Sequence, residues 1–321
     1  MDRQSIKLSA TQRAAPKQRT TMPALTEAQV GTWVSEFLDA LSNPTGGKKG
    51  DTGGIDWKKL EDMMNKRCTV ELPGEPKCKK FDDFKKKAEE FLASFKGAKR
   101  TVPKGAKPII VQSKKDEVEV IFPEQCLFTW SSGLAEHYPN CTLASGDKAK
   151  LFIYNRVLLN GKGECSYYQP VFSNNDFKGA DRAEDTDSLL DQIYQDFTPG
   201  NARFADDMKV EFPVVGKMEK AGMFDLFAQF KGLQRQMQAG CVPVNMSTGK
   251  DEVFEGIVPC VYSFKWSAAL NDTFKLELAD GADVVLTSYD CLKLKSGKVI
   301  SFAPHFDPAA NIKPAGKSAA A

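Results

Sequence analysis

The sequence predicts an α+β fold that occurs twice in the chain. Lys115-Asp116-Glu117-Val118 recurs as residues 250–253, and the run at residues 128–131 returns with one substitution at 264–267. In both halves, helical patterns precede a series of strand patterns, which is typical of the α+β class. Matches in the same order at a near-constant offset indicate duplication of a whole domain rather than a short repeat.

Length and composition allow two globular domains. The chain has 321 residues, 41% of them hydrophobic and 27% charged, which is ordinary for a globular protein, and each half is long enough to bury its own core. We expect domain 1 at residues 23–173, a polar linker at 174–186 and domain 2 at 187–310.

The two ends of the chain differ in composition from the domains. Residues 1–22 carry five basic side chains and one acidic side chain among Ser, Thr, Ala and Gln. This composition fits either a plastid or mitochondrial transit peptide or a disordered basic tail, and both interpretations stay open. Residues 311–321 are expected to be a disordered tail, and the protein is expected to be soluble and intracellular.

The first copy begins with an amphipathic helix. Thr26 is placed to cap it, and Val30, Val34 and Phe37 follow at helical spacing. Further helices are predicted at residues 55–66 and 81–95. Strands are predicted at residues 69–72, 109–112, 117–122, 127–131, 149–159 and 164–172. Asn160-Gly161-Lys162-Gly163 predicts a hairpin turn between the last two strands.

The second copy repeats this order. Helices are predicted at residues 187–197 and 221–237. Strands are predicted at residues 209–212, 242–246, 252–256, 258–267, 274–279, 283–294 and 299–306. Residues 295–298 form the matching hairpin turn.

Several classes of function are not expected. The basic stretch at residues 77–87 is interrupted by Asp82 and Asp83, and such mixed charge indicates a solvated helix face rather than a nucleic-acid interface. The eight cysteines form no CxxC pair and only two histidines exist, so no metal site is predicted. No cofactor motif and no membrane-spanning run is visible.

Two strings resemble the NTF2-like superfamily, which includes SnoaL-like polyketide cyclases and ketosteroid isomerases. Residues 204–213 look like its passage into the first strand, and residues 289–302 look like its last hairpin. The resemblance covers most of residues 181–307 and, more faintly, 24–173. It implies two cone-shaped folds, each with N-terminal helices on a strongly bent antiparallel sheet, and a pseudodimer formed through the sheets.

The resemblance also implies where a site would lie. A ketosteroid isomerase needs a carboxylate base before the Pro of the first strand, but that position is Leu72 in one copy and Phe212 in the other. The isomerase mechanism is therefore not supported. The position of the oxyanion-stabilising acid falls on Asp290 and, in the first copy, on Asn155.

Aromatic residues on the same strand faces complete the candidate ligand-binding set. They are Phe264, Trp266, Phe302 and Phe306 in the second copy and Trp130 and Tyr167 in the first. Each is interpreted either as a core residue or as a ligand contact. Tyr167 is taken to replace Phe302, and an extra residue near Tyr168 and Gln169 predicts a bulge there.

Two functional hypotheses follow. The first is a non-catalytic tandem module that binds an apolar small molecule or a protein partner through its cone pockets and sheet faces. The second is a SnoaL-like cyclase, isomerase or dehydratase in which Asp290 is the pocket acid. The missing base favours the first hypothesis.

Overall fold

A computed structural model of the chain gives its three-dimensional structure. The described residues are 25–42, 54–72, 76–112, 117–138, 141–172, 178–179, 190, 193–194, 196–247 and 253–315. The predicted basic segment lies outside them, as do most of the predicted linker and C-terminal tail and much of the helix predicted at 187–197.

The first unit combines helices with a mixed sheet. Its elements are α1 (Glu27–Leu41), α2 (Trp57–Met63), β1 (Met64–Val70), α3 (Phe81–Ala93), β2 (Lys96–Thr101), β3 (Ile109–Gln112), β4 (Glu117–Thr129), α4 (Ser132–His137), β5 (Lys148–Asn160), β6 (Cys165–Val171) and β7 (Lys178–Gly179). Thr26 caps α1 in a capping box with Gln29, as its place before the apolar stripe predicts.

The second unit has the same plan. Its elements are β8 (Phe204–Phe212), β9 (Gly216–Glu219), α5 (Lys220–Ala228), β10 (Lys231–Met237), β11 (Val244–Ser247), β12 (Val253–Lys265), α6 (Ala269–Phe274), β13 (Asp283–Lys295), β14 (Lys298–His305), α7 (Pro308–Asn311) and β15 (Ile312–Pro314). Strand β15 pairs with β13, so the unit extends past the predicted boundary at residue 310.

The two sheets have matching topology. The first runs in the order β1-β6-β5-β4-β2, and the second contains the same path as β8-β14-β13-β12-β10. In each, the first strand of the unit (β1 or β8) is parallel to its neighbour (β6 or β14), and the registers agree: Val70 lies opposite Tyr168, and Val210 lies opposite Phe302. The predicted tandem α+β architecture is confirmed.

This register corrects the predicted alignment of the last strands. Tyr168, not Tyr167, takes the place of Phe302, because Tyr168 lies opposite Val157 and Phe302 lies opposite the matching Leu292. Both hairpins carry an irregularity at the same level, so no extra residue sits near Tyr168. The additional residue of the first unit lies in the hairpin turn, between Leu159 and Cys165.

Other element boundaries also differ from the sequence prediction. The helix predicted at 221–237 ends at Ala228, and its second half is strand β10. The strand predicted at 274–279 is absent, since α6 ends at Phe274 and residues 276–279 are irregular. Helix α4 occupies a segment around His137 that the sequence suggested was a loop.

The outer faces of the two sheets pack against each other. Apolar residues from both units form one cluster: Ile109, Ile121, Phe152, Tyr154 and Val171 from the first, with Val244, Ile257 and Tyr289 from the second. Tyr154 and Tyr289 are equivalent residues, and their ring centroids are 5.6 Å apart. The chain is thus an intramolecular pseudodimer.

The contacts at this interface are reciprocal. The Tyr154 hydroxyl donates to the carbonyl oxygen of Val242 at 2.5 Å, and the Tyr289 hydroxyl donates to that of Lys107 at 3.0 Å. Val242 and Lys107 are themselves separated by the same 135 positions as the two tyrosines. Such self-complementary pairing is the property of a two-fold interface.

Candidate functional site

Asp290 lies in the interior of the second unit. On β13 it follows the buried Ser288 and precedes the core residue Leu292, whereas Tyr289 points to the opposite face, as strand alternation requires. Ser288 Oγ donates to Asp290 Oδ1 at 2.7 Å. Tyr194 Oη donates to Oδ2 at 2.8 Å, and Tyr262 Oη donates to the same oxygen. Three protein hydroxyls therefore occupy the carboxylate.

Burial and the carboxylate together keep these tyrosines neutral. Burial raises the pKa of both Tyr194 and Tyr262 well above its usual value, and the negative charge of Asp290 raises it further. A neutral phenol is a hydrogen-bond donor. The geometry suits a fixed structural network, because both tyrosine hydroxyls keep their protons and donate them in hydrogen bonds to Asp290.

The other predicted ligand residues of this unit form its aromatic core. Phe264 stacks on Phe230 with ring centroids 4.4 Å apart, and Trp266 lies 6.1 Å from Phe264. Phe302 and Phe306 are fully buried in the same cluster. At the margin of this core, three aromatic side chains are only half-buried: Tyr194, Phe197 and Phe224.

An arginine that no sequence motif singled out lies beside this network. Arg235, on the inner face of β10, places its guanidinium carbon 3.9 Å from the ring centroid of Phe197 and 4.9 Å from those of Tyr194 and Tyr262. Phe227 lies farther, at 5.9 Å. Arg235 Nε is buried and has no hydrogen-bond partner among the described residues.

The sequence does contain a signal for this residue. Arg235 and Arg100 are 135 positions apart, the offset of the duplication. They also share a register, since Arg100 lies opposite Cys126 and Arg235 lies opposite the matching Tyr262. Assigning residues 221–237 to a single helix concealed this equivalence.

The first unit arranges the same positions differently. Arg100 is buried and forms an ion pair with Glu124. The second carboxylate oxygen of Glu124 accepts from Asn155 Nδ2 at 2.8 Å, and Tyr168 Oη donates to Asn155 Oδ1 at 3.1 Å. This network is closed, because the charged groups satisfy one another.

The polar network divides the first interior. Glu124 on β4 lies between Phe122 of one apolar cluster and Cys126 of another, and Asn155 on β5 lies between Ile153 and Val157 in the same way. The second interior is a single cluster at the corresponding level, because Cys260 replaces Glu124 there.

The remaining predicted residues of the first unit do not join this network. Trp130 is buried in the smaller apolar cluster with Phe95 and Phe128. Tyr167 is half-buried on the opposite face of β6 from Tyr168. Of the three first-unit residues predicted to contact a ligand, only Asn155 belongs to the buried polar network, and it occupies the position equivalent to Asp290.

The structure contains no metal-binding group of three or more ligands within the described ranges. The eight cysteines form no disulfide with one another, and Cys68 Sγ and Cys165 Sγ are 3.9 Å apart. No helix of the described residues is both long and apolar enough to cross a membrane.

Comparison with known proteins gives structural neighbours only. No protein-family model matches the chain, and no curated protein matches it. One similar structure is a candidate polyketide cyclase from Xanthomonas campestris pv. campestris, with 10% identity, coverage of 46% of this chain and 93% of the other, and a TM-score of 0.31.

Two further structures show comparable similarity. An NTF2-like protein of unknown function from Exiguobacterium sp. 255-15 has 10% identity, coverage of 43% of this chain and 96% of the other, and a TM-score of 0.29. The canthaxanthin-binding Orange Carotenoid Protein of Anabaena (Nostoc) sp. PCC 7120 has 11% identity, coverage of 49% and 39%, and a TM-score of 0.29.

Strand order and register recur in both halves of the chain, and α3 and α5 occupy equivalent places between the parallel strand and the next edge strand (β2 or β10). Each half therefore has an α+β fold, and the chain is a tandem pair of such folds, as the sequence predicts.

Proposed function

We propose that this chain is a non-catalytic module that binds an apolar small molecule in the interior of its second unit. The observation that carries this proposal is the aromatic margin of that interior. Tyr194, Phe197 and Phe224 contact the buried core and remain half-exposed. Aromatic side chains supply large apolar contact areas with defined geometry, which suits an apolar ligand.

The polar groups of the interior support binding rather than catalysis. General acid–base catalysis needs a carboxyl group that can reach the proton of a substrate. The Asp290 carboxylate already accepts three protein hydrogen bonds, and the position of the isomerase base is the apolar Leu72 or Phe212. The role of Asp290 in this proposal is to position Tyr194 and Tyr262.

The pseudodimer supports a small molecule over a protein partner. The sheet faces are the surfaces through which a second protein would dock in the hypothesis drawn from the sequence. Here part of the outer face of each sheet is covered by the other unit, including Tyr154 and Tyr289. The half-exposed aromatic margin of the second interior lies outside that cluster and is available to a ligand.

Titration with the neutral fluorescent probe N-phenyl-1-naphthylamine tests this function. We expect saturable binding at one site per chain. Phe197→Leu should weaken binding about three- to tenfold, because an aromatic contact contributes about 0.5–1.5 kcal/mol beyond its area. Trp33→Leu is the matched control, since Trp33 is a half-buried aromatic side chain of the first unit that stacks on Phe37.

Two results would contradict the proposal. One is the absence of saturable probe binding to the intact chain. The other is an equal loss of affinity in Phe197→Leu and Trp33→Leu, which would show that the probe reports general stability rather than a site in the second unit.

A further inference from the structure

We propose that the ligand of the second unit is an anion, with an apolar body and one oxyanion headgroup, and that Arg235 binds this headgroup. This inference rests on the proposed function and specifies the chemical class of the ligand. It depends on three observations: the aromatic surroundings of Arg235, the ion pair that the equivalent arginine forms in the first unit, and the partial exposure of the Arg235 side chain.

The surroundings of Arg235 offer ring faces but few acceptors. Its guanidinium lies within 6 Å of four aromatic ring centroids, which attract the positive charge without accepting hydrogen bonds along the N–H directions. Its buried Nε has no acceptor among the described residues. An unsatisfied buried donor is costly, and a ligand oxyanion at the terminal guanidinium nitrogens would give this cation the anionic partner that it lacks.

Arg235 remains a cation at this position. Burial alone would lower its pKa, but the neighbouring groups Tyr262, Tyr194, Cys260 and Asp290 more than reverse this, so that the pKa is raised. Asp290 does not satisfy the arginine directly, since its described hydrogen bonds are with Tyr194, Tyr262, Ser288 and Cys260.

The first unit shows what this arginine binds when an acceptor is present. Arg100, at the equivalent register, forms a buried ion pair with the Glu124 carboxylate. The position of Glu124 is occupied by Cys260 in the second unit, since Glu124 lies opposite Ile153 and Cys260 opposite the matching Ser288. The second unit thus keeps the arginine and lacks its carboxylate.

The exposure of the two arginines also differs. Arg100 is 5% exposed, whereas Arg235 is intermediate between buried and exposed. A guanidinium is planar and can donate two parallel hydrogen bonds to an oxyanion. Arg235 is therefore reachable for a ligand group at the aromatic margin, and its fork geometry selects carboxylate-like or sulfonate-like headgroups.

A matched pair of probes tests the inference. 8-Anilinonaphthalene-1-sulfonate and N-phenyl-1-naphthylamine share one aromatic body and differ in the sulfonate. We expect the intact wild-type chain to bind the anionic probe at least tenfold more tightly than the neutral probe. Arg235→Gln should reduce the affinity for the anionic probe at least tenfold and change that for the neutral probe less than twofold.

A second variant tests the inference independently, in case Arg235→Gln does not fold. Cys260→Glu places a carboxylate at the position of Glu124 and retains Arg235. It should remove the preference for the anionic probe by supplying an internal partner for the arginine. Retained preference in a folded Cys260→Glu protein would contradict the inference.

The remaining outcomes separate this inference from the proposed function. No binding of the neutral probe overturns the proposed function itself. Equal wild-type affinity for both probes overturns only the anion assignment. An equal loss of affinity for both probes in Arg235→Gln would show that Arg235 acts only by packing against the aromatic side chains. This result also overturns the assignment.

Discussion

Each interior contains one buried carboxylate, but the two lie on different strands. Glu124 belongs to β4 and Asp290 to β13, which is the equivalent of β5. In the first unit the carboxylate is paired with Arg100. In the second it is surrounded by hydroxyl donors, and Arg235 contacts the rings of two of those donors. Tyr194 and Tyr262 thus lie between the Asp290 carboxylate and the Arg235 guanidinium.

Asp290→Asn should destabilise the protein. The amide keeps only one acceptor oxygen, so either the two tyrosines or Ser288 face an NH2 group and lose their acceptor. Leaving buried donors unsatisfied costs about 1–3 kcal/mol, and we expect a loss of this size in the free energy of unfolding measured with urea. An unchanged unfolding midpoint together with weaker probe binding would instead identify Asp290 as a direct ligand contact.

Asn155→Asp is the matched change in the first unit. It removes the donor that lies 2.8 Å from Glu124 Oε2 and introduces a like charge beside it. Because an uncompensated buried charge costs about 3–5 kcal/mol, the loss of stability should exceed that of Asp290→Asn. Equal effects would show that the two polar positions are less buried than their zero exposure indicates.

At the scale of elements, the long strands pass through prolines. Pro123 lies in β4 at the point where the neighbouring strand changes from β2 to β3, and Pro259 lies in β12 where it changes from β10 to β11. At such a junction the missing N–H removes no bond of the ladder. This explains why the strands predicted to stop near the prolines continue through them.

The turns that join the edge strands of the two units also meet. A Cβ atom at Gly240 would lie 2.6 Å from the carbonyl oxygen of Lys104. Gly105 is the equivalent residue, and a Cβ there would lie 3.4 Å from Ala239 Cβ, an ordinary contact. Both glycines have positive φ angles, of 72° and 90°.

Gly240→Ala should therefore destabilise the protein more than Gly105→Ala. Each substitution carries the cost of a left-handed residue, about 1–2 kcal/mol, but only Gly240→Ala also forces two backbone segments apart. Gly232→Ala controls for strain alone, since its φ is 68° and its Cβ would meet no atom within 4 Å. Thermal unfolding of the three variants gives the comparison, and equal losses would rule out a tight contact between the turns.

Sequence patterns predicted the order of elements well because apolar periodicity and the repeated strings persist in both copies. They failed where a helix passes directly into a strand: the helix predicted at 221–237 ends at Ala228, and Gly232, with φ of 68°, already lies in β10. The aromatic cage of Arg235 could not be predicted, because Tyr194, Phe227 and Tyr262 come from distant segments.

At the scale of the whole molecule, a half-buried ion pair between His305 and Glu119 joins the two units. His305 Nδ1 of β14 lies 3.3 Å from Glu119 Oε2 of β4. Burial alone would lower the pKa of His305, but Cys291 and Glu119 raise it from 6.5 to about 10. Burial alone would raise the pKa of Glu119, but His305 and Arg156 lower it from 4.5 to about 2.

These shifts predict the pH dependence of the interface. The contribution of His305 to the free energy of unfolding is complete below pH 6.5 and is lost as the pH rises through about 10. That of Glu119 is complete above pH 4.5 and is lost as the pH falls toward about 2. Both are present between pH 4.5 and 6.5, where we expect the pair to stabilise the chain most.

His305→Gln provides the test. Between about pH 6 and pH 10, the free energy of unfolding of the wild type should fall by on the order of 2 kcal/mol more than that of the variant. Each unit of pKa shift corresponds to about 1.4 kcal/mol, and this value is reduced here because solvent screens a partly exposed pair. Urea unfolding at the two pH values measures the difference. Parallel pH profiles for the two proteins would show that the ion pair does not contribute.

The reciprocal tyrosine contacts have a consequence for how this protein can vary. In an assembly of two identical chains, every amino-acid replacement is installed on both sides at once, and the partners separate on dilution. Here a single polypeptide supplies both sides, so the association is independent of protein concentration and each side can mutate alone. One side can thus carry the Arg100–Glu124 pair while the other has Cys260 at the position of Glu124.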